Sequence, residues 1–133
     1  MNKEVRNWLI MAFEDYRVVR HEMNLPEDEM VSSIVCFHCQ QFVEKLLKAY
    51  LISKGIEFER THNLEFLKEL CKKQDKDFDI LDFGNLTMYA VETRYPERFL
   101  IPSVEEARRS FEIAQEVKEF VLEKLGIRED EIR

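Results

Sequence analysis

The amino-acid sequence predicts an all-α fold, an up-and-down bundle of about five helices built on a four-helix core. Three observations predict it. Apolar residues recur at helical spacing in long runs, strand-like alternation is missing, and several runs start at Asn or Ser residues suited to capping a helix. At 133 residues, 45% hydrophobic and 35% charged, the chain has the make-up of one globular domain over 1–133, with a charged tail at 127–133.

Val5, Trp8, Leu9, Ala12, Phe13, Tyr16 and Val19 form one apolar stripe, and Asn2 can cap it, so a first helix is expected from residue 3 to about 23. Leu25-Pro26 ends it. Glu27-Asp28-Glu29 then suits the positive end of a second helix, whose apolar positions continue from Met30 to Ile52 and stop at Gly55. That helix is expected to be the longest and central. Asn63 opens a third, with Leu64, Leu67, Leu70 and Cys71 inward and Lys72-Lys73 at its C-terminal end. The run Ile80, Leu81, Phe83, Leu86, Tyr89, Ala90 and Val91 predicts a fourth helix that must stop before Pro96. Ser103-Val104-Glu105-Glu106 is a capping box, and a fifth helix follows through Ala107, Phe111, Ala114, Val117, Val121 and Leu125 to Gly126. The tail beyond it is expected to fray or to form one more turn.

The formal charge of -7 repels phosphate backbones and anionic lipid at long range, which excludes broad non-specific binding to nucleic acid. No apolar run is long enough to cross a bilayer, and Met1-Asn2-Lys3-Glu4-Val5-Arg6 is charged with no signal-type core behind it, so a cytoplasmic protein is expected. Cys36, Cys39 and Cys71 are expected as reduced thiols. Zinc is not expected, because one helix cannot aim positions 36, 38 and 39 at a single point. No glycine-rich phosphate loop or paired aspartates for magnesium are present, and no cofactor is expected.

The candidate site lies on the second helix, where His38, Gln41, Lys45 and Lys48 fall near one line beside an apolar flank of Ile34, Phe42, Leu46 and Ala49. Tyr89, Arg94, Tyr95 and Arg98 are its candidate partners, since arginine grips phosphate or carboxylate with a fork and tyrosine stacks on a base. Such a set suits a nucleotide or a nucleic-acid end, with His38, Lys45 and the Tyr95 turn in one electropositive recess. The alternative is that Lys45 and Lys48 are solvated charges paired with neighbours, Glu44 with Lys48 for one, and His38 a satisfied polar group between helices. His62 is read as fixing the loop before the third helix, and Trp8, Phe13 and Tyr16 as core or dimer-interface aromatics.

His38, Gln41, Glu44, Lys45 and Lys48, followed by Thr61-His62-Asn63-Leu64 and then Thr93-Arg94-Tyr95-Pro96, resemble in order and spacing the HEPN family of small helical domains, from about Trp8 to Leu125. The resemblance implies a helical, commonly dimeric domain whose active members cleave RNA with an Arg and a nearby His. Here no histidine follows His62, so the motif is not met after Arg94. Other members look like the non-catalytic half of a two-component, toxin–antitoxin system, binding a minimal nucleotidyltransferase or its nucleotide, and this chain resembles those better. A divergent ribonuclease toxin is the alternative, with Arg94 or Arg98 stabilising charge and His38 or His62 moving the proton.

Overall fold

A computed structural model describes residues 1–90 and 101–132. Among the described residues four α-helices and three short 3-10 turns are present, and no strand. Helix α1 runs Lys3–Met23, and the Asn2 side chain accepts from the amides of Glu4 and Val5, as its position before the apolar stripe foretells. Its buried side is Val5, Leu9, Ala12, Asp15, Tyr16 and Val19, an apolar stripe interrupted by one acid.

Helix α2, Ser32–Ser53, starts later than expected. Glu27-Asp28-Glu29 belong to a separate turn, closed by the amides of Glu29 and Met30 on the Pro26 carbonyl, after which Val31 is extended. The Glu22 side chain takes the Val31 amide at 2.8 Å, and the Ser32 hydroxyl donates to the Pro102 carbonyl at 2.6 Å. Of its 22 residues 14 are buried, so α2 is the helix that the others surround rather than one with a dry side and a wet side.

Helix α1 packs antiparallel to α2, with Tyr16 against Phe42 at 4.8 Å between ring centroids and Trp8 reaching the Lys48 end. Helix α4, Val104–Leu125, runs in the same sense as α2: Ser110 meets Cys36 near their beginnings, and Phe78 joins Tyr50 and Phe120 near their ends. Ser103 and Glu106 form the predicted capping box, and Gly126 ends α4 at φ 68. Helix α3, Leu64–Gln74, is capped by Asn63 and packs on α2.

The expected fourth α-helix is instead two 3-10 helices, Lys76–Ile80 and Leu86–Ala90, so the bundle has four α-helices among the described residues. Local side-chain bonds account for the difference. Asp75 accepts from the Asp77 amide and Asp82 from the Gly84 amide, both at 2.9 Å, and Gly84 takes φ 54, which a continuous right-handed helix cannot accommodate. Leu81, Phe83, Leu86 and Tyr89 still reach the core, whereas Ile80 is 78% exposed. Val91 lies outside the described residues.

The tail folds back rather than fraying. A 3-10 turn at Glu129–Glu131 carries Ile132 into the core, and Arg6 of α1 donates to the carbonyls of Glu131 and Ile132. No helix among the described residues is long and apolar enough to cross a membrane.

Candidate functional site

Because α2 is enclosed, a polar row along it has to find partners inside the protein, and two buried carboxylates supply them. The first is Asp15 of α1, whose side chain is 9% exposed. His38 donates from Nδ1 to its Oδ1 at 2.7 Å and Lys45 from Nζ to its Oδ2 at 2.6 Å. Both carboxylate oxygens are thus engaged across the α1–α2 seam, and the charge of Lys45 is matched where it sits. His38 and Lys45 lie at the edge of the seam, with side chains 25% and 17% exposed.

The second is Glu44, one residue before Lys45 but pointing to another side of α2. Its Oε2 accepts from Lys48 at 2.9 Å, and its Oε1 from His62 Nδ1 at 2.8 Å and Gln40 Nε2 at 3.2 Å. Gln40 also donates to the His62 carbonyl at 3.0 Å, and Gln41 donates to Gln40 Oε1 at 2.7 Å. The Lys48 ammonium lies 5.5 Å from the Trp8 ring centroid and 5.8 Å from that of Phe58, where the aromatic faces add attraction to a charge removed from water. His62 therefore ties the loop before α3 to α2, through its ring and its carbonyl together.

Of the candidate residues, His38 and Lys45 are brought together at Asp15, and Gln41 is joined through Gln40 to the Glu44 cluster. Lys48 is buried against Glu44, Trp8 and Phe58. Tyr89 stands elsewhere, its hydroxyl donating to Glu106 Oε2 at 2.7 Å at the start of α4. Arg94, Tyr95 and Arg98 lie outside the described residues. The Glu44–Lys48 pair anticipated from helical spacing is present, but enclosed rather than solvated.

Burial pushes the Tyr89 phenol well above its ordinary value, with the Glu106 bond acting in the same direction. The same bond, with the Ser103 amide, holds Glu106 below the usual carboxylate range. Burial also raises all three thiols, Cys71 to about 12, so none is a ready nucleophile. Among the described residues no group of three or more His, Cys, Asp or Glu is placed to hold a metal ion. An open depression of about 560 Å³, lined by Lys76, Asp79, Ile80, Phe120 and Lys124 among others, shares no residue with either carboxylate cluster.

Asp15 and Gln40 were missed from the sequence. Asp15 gave a readable signal, since an acid three residues after Ala12 and four before Val19 lies inside the apolar stripe of α1 and must find a cation there. Gln40 gave none, because its value depends on a loop carbonyl from His62.

The HEPN domain family model matches residues 5–125. No curated protein and no solved structure gives a significant match. With nearly the whole chain covered, and with the all-helical bundle described above, this protein belongs to the HEPN domain family, whose members are nucleotide- and RNA-related modules.

Proposed function

We propose that this domain is a non-catalytic binding module: a homodimer that engages a minimal nucleotidyltransferase, or that enzyme's nucleotide, as one half of a two-component toxin–antitoxin system in the cytoplasm. The contact residues are His38 and Lys45 at the α1–α2 seam and Gln41 one turn on from His38, with Arg94, Tyr95 and Arg98 from the segment that precedes α4; Tyr89, buried and bonded to Glu106, supports that segment from inside. Lys48 acts from inside, by holding Glu44. The observation that carries the reading is the polar patch at the seam, pre-organised on the Asp15 carboxylate, in a chain with no histidine after Arg94. Pre-organisation of this kind lowers the entropy lost when a ligand binds.

Calorimetric titration of the purified protein with nucleotides, alone and with a small transferase encoded beside it, tests the proposal. Binding in at least one combination, weakened by His38→Ala, is the expected result. Silence in every combination contradicts it.

The ribonuclease reading has one observation in its favour. His38 and His62 each place Nδ1 on a buried carboxylate, the arrangement that orients an imidazole for proton transfer through Nε2. Cleavage of RNA by the purified protein, abolished by His38→Ala or His62→Ala, would favour that reading over the first.

A further inference from the structure

Hydrogen-bond complementarity along α2 determines where two side chains direct their lone pairs. The Glu44 carboxylate and the His62 carbonyl only accept, so Gln40, which meets both, presents its NH2 group to them. Its Oε1 then faces Gln41, and Gln41 answers with its own NH2 at 2.7 Å. What Gln41 has left is a carbonyl oxygen. At the seam Asp15 only accepts, so His38 carries a hydrogen on Nδ1, and in its neutral form the ring keeps its lone pair on Nε2. Neither Gln41 Oε1 nor His38 Nε2 has a hydrogen-bond partner among the described residues. No fully enclosed side-chain nitrogen or oxygen there lacks one, so neither atom is sealed from solvent, and the His38 side chain is 25% exposed.

We infer that His38 Nε2 and Gln41 Oε1 form a paired acceptor site for an arginine side chain of a partner protein, docked against the exposed apolar residues Ile34, Met11 and Val18. His38 and Gln41 are three residues apart on one helical face, and Ile34 lies one turn before His38. Met11 and Val18 lie one turn either side of Asp15 on the facing helix, and all three apolar residues are exposed. Two outward acceptors disfavour a phosphate, whose oxygens also accept. Lys45, the cation beside His38, is already matched by Asp15. A guanidinium donates in several directions from a planar fork, whereas a lysine offers a single point of charge. The net charge of -7 adds a general attraction for a cationic segment. Asp15 is the positioning residue, because it sets the His38 tautomer without touching the ligand.

This inference rests on the partner-binding half of the proposed function. Selection of peptides from a random displayed library on the purified protein tests it. The expected result is enrichment of arginine at one fixed position near an apolar residue, with lysine a poor substitute. Affinity of the selected peptide should fall about tenfold to a hundredfold in both His38→Ala and Gln41→Ala. Asp15→Asn should weaken binding in step with a change in the imidazole nitrogen spectrum of His38 towards the Nε2–H form, a signature that loss of stability alone does not produce. Selected peptides without arginine, or binding indifferent to His38→Ala and Gln41→Ala, overturn the inference. So do imidazole shifts with cytidine or adenosine but none with acetyl-arginine amide, which would assign the acceptors to a nucleobase. If a transferase binds and these variants leave it unaffected, the acceptor site fails while the proposed function stands.

Discussion

Replacing Glu44 by Gln removes one charge and almost no volume from the most enclosed ion pair among the described residues. Lys48 would be left with a side chain 6% exposed and no carboxylate. The new amide cannot satisfy its surroundings either, because its NH2 would face the Lys48 ammonium in one orientation and the NH2 of Gln40 and Nδ1–H of His62 in the other, where the carboxylate now accepts. Breaking a buried pair from one side costs about 3–5 kcal/mol. Against a typical domain stability of roughly 5–15 kcal/mol this is a large part of the whole. In a chain of this length it corresponds to a fall in melting temperature of roughly 10–20 °C. Adding Lys48→Met removes the stranded charge and keeps an apolar stem between Trp8 and Phe58, so the double variant should recover most of the loss. Urea unfolding of the wild type, both single variants and the double variant gives the coupling directly. A loss below about 1 kcal/mol in Glu44→Gln, as for an exposed pair, would refute the reasoning. So would a double variant whose loss is the sum of the two singles.

Four further predictions concern other parts of the fold. The thiols should resist a disulfide reagent at pH 8 in the native protein, and all should react on denaturation, since Cys36, Cys39 and Cys71 are wholly buried. The folded pKa of Cys71 is raised from 9.0 to about 12, so its contribution to stability is complete below pH 9 and is lost as the pH rises towards about 12; unfolding curves across that window read it out. Tyr89→Phe should move the Glu106 titration, followed by NMR, back up towards the ordinary carboxylate value of 4.5. Because Glu106 is depressed in the fold, its contribution is present above that value and lost as pH falls through the folded one, and the variant should be less sensitive to acid in that range. Gly84→Ala should destabilise by about 1 kcal/mol or more, through φ 54 rather than through crowding, since the nearest atom to an added Cβ is Ile113 Cδ1 at 3.5 Å; equal or greater stability would contradict it.

The parts of this fold that were legible in the sequence are those written by neighbours along the chain. Asn2, Asn63 and the Ser103–Glu106 box each satisfy amides within three residues, and Gly126 supplies a left-handed stop, so α1, α3 and α4 could be placed closely. Local chemistry also explains the main miss. Asp75, Asp82 and Gly84 make turns that compete with the helical periodicity of residues 80–91, and periodicity alone does not weigh that competition. At the candidate site, helical spacing grouped His38, Gln41, Lys45 and Lys48 but could not say what stands opposite them. Asp15 comes from a different helix and His62 from a loop, and their approach divides the row between two carboxylates.

Nitrogen-15 spectroscopy of the histidine rings tests the central claim most directly. If Asp15 and Glu44 each hold a histidine by Nδ1, the neutral rings of His38 and His62 should both carry their hydrogen on Nδ1, with the Nε2 resonance of an unprotonated nitrogen. Predominance of the Nε2–H form at either ring, as an unconstrained imidazole in water tends to show, would contradict the account.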